Sequence, residues 1–352
     1  MFSSCKKDYD NYYFNGSVEL IKAFPNEMKL TATLVPMEDD FHGQMMLCDS
    51  FLLFRSSKYP NNWISTYGLS SKKHLVSFCP KGEGPNDFIY CITSGQFSLE
   101  KGNTMLWVHD FISKSCMINV TKSILAGYTV CDSIIPTSYI KKYSYPPTNV
   151  FFLSNNHFLV KNRSERTLMI DGYLLPSYKM YKNDLSTEVD VFTIYKEAIK
   201  GEATQNNYVE QYMSYDCLKP DQTKIAMAMW RIGQLNILDL QSKELIGYRM
   251  QESMSFKDLE DSDFSYRNYY QSLCVNDSYI LALYADKLIS SWKEESPLLA
   301  NVIHVFDWNG NPLYKLNLDK NITSMVLDEK NCILYAQGAY DKLYSYDMSF
   351  LK

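Results

Sequence analysis

The sequence lacks the spacings on which most site chemistry depends. It has nine cysteines, yet no Cys-x-x-Cys pair and no close grouping of cysteine with histidine, so no zinc site of ordinary ligand spacing is encoded. Its five histidines, His42, His74, His109, His157 and His304, include no i, i+4 pair. No Gly-x-Ser-x-Gly elbow occurs, which removes the α/β-hydrolase nucleophile. No apolar run approaches the roughly 20 residues of a membrane-spanning helix. There is no long basic block and the formal charge is -5, which excludes an ordinary nucleic-acid surface. Helical periodicity is scarce as well. The best patch, "VFTIYKEAI" from Val191 to Ile199, predicts a turn or two of helix at most.

What is present points to β structure. The 352 residues are 46% hydrophobic and 21% charged, a balance that supports a packed core rather than a disordered chain. They include 28 Tyr and 18 Phe, residues that favour half-buried pleated surfaces. The body reads as apolar runs of about 5–8 residues divided by polar turns. "MMLCDSFLLFRS", "VFFLSNNHFLVKN" and "YILALYAD" are of this kind.

One pattern recurs. An apolar strand ends in Asp or Tyr, a polar turn follows, and a second strand leaves. It appears as "WISTYGLSSKKHLVSF", "LWVHDFISKSCMINV", "LNILDLQSKELIGYRM" and "IHVFDWNGNPLYKLNL", with a truncated copy, "LYSYDMSFLK", at the end of the chain. Asn309-Gly310 is the strongest short hairpin signal. Between copies lie "DCLKPDQTKIAMAM", "LCVNDSYILALY" and "MVLDEKNCILYAQG", each a strand, a turn and a strand. Together the two patterns make a four-stranded antiparallel unit. The predicted fold is therefore all-β: a six-bladed β-propeller of four-stranded antiparallel blades spanning residues 18–352. The third blade has the most blurred repeat. The last hairpin lacks a strand, and Val18 to Ala23 or Met28 to Pro36 is expected to supply it and close the ring.

The stretch "FCPKGEGPNDFIY", Phe78 to Tyr90, sits between an outgoing strand and the entering strand of the next blade. Gly82 and Gly84 are expected to permit the backbone angles of that crossing. Pro85 fixes one dihedral, and Phe88 is expected to plug between adjacent sheets. No Lys-Ser or Lys-Thr follows the second glycine, so this is not a phosphate loop. Its oxygen ligands do not alternate as an EF-type loop requires. "GEGPNDF" resembles the Gly-x-Gly-Pro-x-Glu-Phe signature of the TolB-like six-bladed propeller lipoproteins of Bacteroidota, with Asp87 in place of the usual Glu and Asn86 in place of Gly. "LKPDQTKIA", Leu218 to Ala226, resembles the Ser-Pro-Asp-Gly-x-x-Ile-Ala turn of TolB-type blades, with Gln222 where Gly is common. The resemblance implies a propeller fold and an envelope location, and no particular activity.

The start, "MFSSCKKD", resembles the end of a bacterial lipoprotein signal in which Cys5 becomes the lipidated residue. Asp8 and Asp10 resemble the export signal of surface lipoproteins, and residues 1–17 read as signal remnant and tether. The other eight cysteines read as small buried hydrophobes, and His109 and His304 as packed histidines at near-equivalent strand positions.

Two aromatic loops are candidates for recognition: "SYIKKYSYPPTNV", with Tyr143 and Tyr145, and "DLEDSDFSYRNYY", with Tyr266, Arg267, Tyr269 and Tyr270. Three function classes follow. The first is a non-catalytic binding or scaffold module, tethered by lipid alone, monomeric, and taking a protein, peptide or carbohydrate ligand but no nucleic acid. The second is a metal-dependent lactonase- or lyase-like enzyme with its site in the central channel. The third is a sensor partner docking through one propeller face. No catalytic residue, metal ligand or cofactor is assigned from the sequence.

Overall fold

A computed structural model of the chain describes residues 8–110, 114–136, 147–162, 165–166, 173–175, 177–183, 187–197, 211–261, 267–288, 299–339 and 341–352. Cys5, Tyr143, Tyr145 and Tyr266 lie outside these residues. After a short helix, α1 (Tyr9–Tyr13), come three strands: β1 (Ser17–Ile21), β2 (Asn26–Leu30) and β3 (Thr33–Val35). An antiparallel sheet in chain order follows, made of β4 (Gln44–Cys48), β5 (Phe51–Arg55), β6 (Asn62–Gly68) and β7 (His74–Pro80). The next is β8 (Phe97–Glu100), β9 (Asn103–Asp110), β10 (Lys114–Asn119) and β11 (Cys131–Pro136), with helix α2 (Val120–Ala126) between the last two.

Then come β12 (Asn149–Leu153) and β13 (His157–Asn162), the two-residue pair β14 (Glu165–Arg166) and β15 (Tyr173–Leu174), and β16 (Ser177–Lys182) and β17 (Glu188–Thr193). The order β12-β13-β16-β17 makes a third sheet. A fourth comprises β18 (Ser214–Leu218), β19 (Lys224–Met229), β20 (Gln234–Asp239) and β21 (Leu245–Met250). Helix α3 (Phe256–Asp261) precedes β22 (Arg267–Val275), β23 (Tyr279–Leu288), β24 (Ala300–Asp307) and the long β25 (Pro312–Asp328). The chain ends with β26 (Ile333–Gly338) and β27 (Leu343–Asp347). Among the described residues no helix is long and apolar enough to cross a membrane.

The chain divides into two compact units. The first takes the described residues of Met1–Leu30, Arg163–Tyr178 and Phe192–Thr323. In it β1 runs parallel to β21, pairing Ser17 with Ile246 through Ile21 with Met250, and β2 runs parallel to β25, pairing Asn26 with Tyr314 through Leu30 with Leu318. β1 adds a fifth strand at the outer edge of the β18–β21 sheet, and β2 lies along the first half of β25. Asp10 joins this edge through two 2.6 Å bonds from the Arg249 guanidinium. The core interleaves Ala226, Leu235 and Ile237 with Leu273, Ile280, Ala282 and Phe306. Full burial of one large apolar side chain contributes about 1.5–3 kcal/mol. The Asn309-Gly310 hairpin forms where the sequence predicts it. Gly310 has φ +81°, and a Cβ there would lie 1.9 Å from a carbon of the Tyr248 ring.

The second unit takes Thr31–Asn162, Lys179–Val191 and Ser324–Lys352. One core cluster joins Leu53, Ile64, Val76 and Phe78 of the β4–β7 sheet to Leu106, Val108, Cys116 and Ile118 of the β8–β11 sheet. A second joins Leu52, Phe54 and Tyr67 to Val35, Tyr335 and Leu343. Here the last hairpin receives its missing strand. β3 pairs antiparallel with β27, with Val35 opposite Leu343 and Thr33 opposite Ser345. The Met28 to Pro36 segment thus supplies the pairing, and Val18 to Ala23 does not.

Two readings of the sequence need correction. "VFTIYKEAI" begins as strand: Val191 to Thr193 belong to β17, and Tyr195 bridges to Phe14. Phe192 is buried between exposed Val191 and Thr193, a period of two rather than 3.6. The repeat "LWVHDFISKSCMINV" is also one strand out of step. It is the β9–β10 hairpin, the second and third strands of its sheet, whereas "IHVFDWNGNPLYKLNL" is β24–β25, the third and fourth. His109 and His304 are therefore not equivalent.

Gln222, where related turns carry glycine, has φ +63°. A side chain in the left-handed region costs roughly 1–2 kcal/mol, part of which glycine recovers. Gln222→Gly is expected to raise stability by about 1 kcal/mol, read as a higher urea midpoint at unchanged slope. A lowered midpoint contradicts this account of the turn.

Candidate functional site

The loop between β7 and β8 is built around one carboxylate. Asp87 Oδ2 accepts the Gly84 amide at 3.1 Å, and the Asp87 amide donates to Gly84 O at 3.0 Å. A Cβ on Gly82 would lie 2.4 Å from Asp87 Oδ2, and one on Gly84 2.8 Å. Neither glycine has positive φ; in this segment that conformation belongs to Cys79, at +60°. The glycines are required by the close approach of Asp87, not by their backbone angles, which corrects the sequence reading. Phe88 is fully buried in the cluster joining the β4–β7 and β8–β11 sheets. Its carbonyl accepts Trp63 Nε1 at 2.8 Å, and Lys114 Nζ sits 4.6 Å above its ring while donating to Pro85 O at 2.6 Å. Every polar group used here holds the loop down, so the loop is a joint between sheets.

A hollow of about 210 Å³ lies in the second unit, lined by Leu34 to Asp40 and by Asp341, Lys342 and Leu343. The pairing of β3 with β27 brings these two stretches together. Glu38, Asp39 and Asp40 are exposed and Asp341 is half-buried. The walls are fixed by hydrogen bonds. Tyr67 Oη donates to Asp40 O at 2.9 Å, and the His42 amide donates to Tyr59 Oη at 2.9 Å. His42 Nδ1 lies 2.9 Å from Asp341 Oδ1. Burial pushes the Tyr59 hydroxyl up to about 12, so it stays a neutral donor and acceptor. Lys72 bonds Leu69 O and lies 4.7 Å over the Tyr335 ring; burial lowers its pKa. The hollow presents carboxylate oxygens at its rim and suits a ligand rich in ammonium or hydroxyl donors. Among the described residues no group of three or more His, Cys, Asp or Glu side chains could hold a metal ion.

A family model for the TolB-like 6-blade propeller matches residues 31–330. The chain belongs to this TolB-like propeller family. No curated protein matches it. Two solved structures are similar. A member of the DUF4221 family from Bacteroides vulgatus has 12% identity and a TM-score of 0.57, over 94% of this chain and 97% of that one. A protein of Bacteroides fragilis taken to be exported has 12% identity and a TM-score of 0.50, over 94% and 98%. At such identities the likeness is one of fold.

In this TolB-like chain the residues singled out from the second aromatic loop divide. Arg267 is half-buried and pairs with Asp286 across the β22–β23 ladder. Tyr269 and Tyr270 are buried, at 2% and 1% exposure, so their rings pack rather than face solvent. Tyr269 Oη accepts the Met254 amide at 2.9 Å, and Tyr270 Oη lies 3.2 Å from His304 Nδ1. The sequence "RNYY" reads as loop from its polar neighbours, but it begins β22. Asp8 caps α1 through the Asn11 amide at 3.2 Å, so both acidic residues after Cys5 have structural partners. The acidic run Met37 to Asp40, half of the hollow, is visible in the sequence; its meeting with Asp341 is not.

His109 and His304 are core groups. His109 Nδ1 lies 2.8 Å from Ser115 Oγ, and its ring stacks with Trp107. The His304 ring stacks on Tyr284 at 4.2 Å and lies 4.4 Å from Phe24. Burial drives both pKa values down from 6.5 to about 3, and for His304 the Lys315 charge adds to this.

Two outcomes follow. Gly82→Ala is expected to cost about 1–3 kcal/mol, and much less in an Asp87→Ala background, where the clashing carboxylate is gone. Equal costs in both backgrounds in a denaturation cycle would contradict the close-approach account. The unfolded chain protonates both buried histidines near pH 6.5 while the folded chain does so only near 3. Stability is thus complete above about pH 6.5 and falls below it, by up to about 1.4 kcal/mol per histidine per pH unit. Urea midpoints measured from about pH 7.5 to about pH 5 should decline; a flat profile contradicts neutral burial.

Proposed function

We propose that this TolB-like protein is a non-catalytic binding module of the cell envelope. On this reading residues 18–352 form one propeller domain, a lipid on Cys5 is its anchor, and the tether is shorter than residues 1–17, because Asp10, Tyr13 and Phe14 are tied into the fold. The observation that carries the reading is the hollow between residues 34–40 and 341–343, whose carboxylates ride on paired strand ends and hydrogen-bonded loops. A rigid rim of acceptors favours a peptide, protein or carbohydrate partner that brings ammonium or hydroxyl donors. Tyr143, Tyr145 and Tyr266, with half-buried Arg267, are proposed as further contact residues; Tyr269 and Tyr270, being buried, are not. The Bacteroides fragilis structure of like fold, described as that of a protein taken to be exported, is in keeping with this location.

Mass spectrometry of the full chain, purified from its native membrane under metal-preserving conditions, tests anchor and ligand together. The expected result is an acyl group on Cys5 and a retained peptide or glycan that is lost from a Glu38→Gln, Asp341→Asn variant. An unacylated Cys5 removes the anchor. A tightly held divalent ion in place of an organic ligand overturns the binding module in favour of a metal-dependent enzyme.

A further inference from the structure

Five of the cysteines that the sequence suggests are only packing residues share one cluster between the β4–β7 and β8–β11 sheets: Cys48, Cys79, Cys91, Cys116 and Cys131. All are free thiols. Four of them group as two pairs, Cys79 with Cys91 and Cys116 with Cys131: burial and Cys91 raise the Cys79 pKa, and Cys116 and Cys131 shift each other's.

The second pair is made by an irregularity in the sheet. On β10 and β11, Cys116 pairs with Ile134, and Met117 with Ser133, but Ile118 pairs with Cys131. Asp132 is therefore an extra residue, a one-residue bulge. Without it, alternation would turn Cys131 to the opposite face of the sheet. With it, Cys131 shares a face with Cys116 and Ile118 and enters the same cluster. The bulge is itself secured, because Asp132 accepts Asn119 Nδ2 at 2.8 Å and Lys122 Nζ at 3.1 Å.

We propose that Cys116 and Cys131 are a dithiol–disulfide site, closed by a small-molecule or protein disulfide that enters through Cys131. The two thiols are not alike. Cys116 is fully buried; Cys131 is half-buried and within reach of solvent. Contact with Cys116 and the Lys114 charge lower the Cys131 pKa, while contact with Cys131 and burial raise that of Cys116. Cys131 is the better thiolate and so the attacking group. Its sulfur attacks one sulfur of the incoming disulfide, forming a mixed disulfide and releasing one thiol. Cys116 then loses its proton, attacks Cys131 Sγ and expels the second thiol. One disulfide is reduced to two thiols, and one intramolecular disulfide is formed. The bridge closes a loop around α2 and ties β11 to its sheet. Cys79 and Cys91, at 0% and 2% exposure, are shielded from the same reagent and serve as an internal comparison.

The test uses the reduced full chain with glutathione disulfide as probe, quenched by alkylation and mapped by non-reducing peptide mass spectrometry. The expected product is a Cys116–Cys131 bridge, with Cys79 and Cys91 still reduced. In Cys116→Ser the glutathione adduct on Cys131 persists; in Cys131→Ser neither bridge nor adduct forms at Cys116. If a variant fails to fold, wild-type kinetics decide. Cys131 should be alkylated about tenfold faster than half-buried Cys332. A chain that bridges Cys79 to Cys91 first, or in which Cys131 reacts no faster than Cys332, overturns the proposal.

Discussion

A four-stranded sheet has two faces to bury and an outer edge to cover, and the edge is the harder condition. A row of unpaired amides and carbonyls recruits other chains unless something pairs with it. This protein answers with its amino-terminal segment. Over fewer than twenty residues of sequence it lays down β1 on β21, β2 on β25 and β3 on β27. The first two are parallel additions, one of them a fifth strand on the β18–β21 sheet, and the third pairs the edge of the last hairpin. The segment is no poorer in hydrophobic residues than the chain as a whole, yet it buries few of them. Its side chains are mostly exposed, and what it contributes is backbone hydrogen bonds.

The faces are buried by a different device. Alternating apolar positions supply the layers, and the segments that cross between sheets are held by single polar groups with several partners. Asp87 organises the loop after β7, Phe88 anchors it, and Lys114 covers both. The same cluster contains the paired thiols, so a joint between sheets and a set of reactive groups occupy one volume. The hollow beside β3 has the same origin. Its acidic rim exists because the pairing of β3 with β27 sets the segment from Pro36 to Asp40 against the turn before Leu343.

The architecture was legible because its signals are local. Alternation, turn residues and Asn309-Gly310 each act within a few residues, and they place strands and hairpins correctly. Gln222 stands at a left-handed position that the glycine of related turns already marks. What was not legible depends on partners far apart in sequence. The one-strand slip at "LWVHDFISKSCMINV" arose because β8, "FSLE", is too short and polar to announce itself. Tyr269 and Tyr270 read as loop residues because polar neighbours precede them, although their partners are Met254, Tyr284 of β23 and His304 of β24. The reason for Gly82 lies in a carboxylate five residues on, and the acidic hollow needs Asp341. No run of residues predicts the bulge at Asp132 that turns Cys131 inward.

The claim on which these relations depend is that β3 completes the sheet of β26 and β27. Hydrogen exchange at the amides of Leu343 and Ser345 in the intact chain addresses it directly, because amides alternate sides along β27 and these two point to Val35 and Thr33, whereas Lys342 bonds Gly338 of β26. The account predicts that exchange across β27 is as slow as in β26 and speeds up only with global unfolding. Exchange in β27 at the rate of an open strand edge, with β26 still protected, would contradict it.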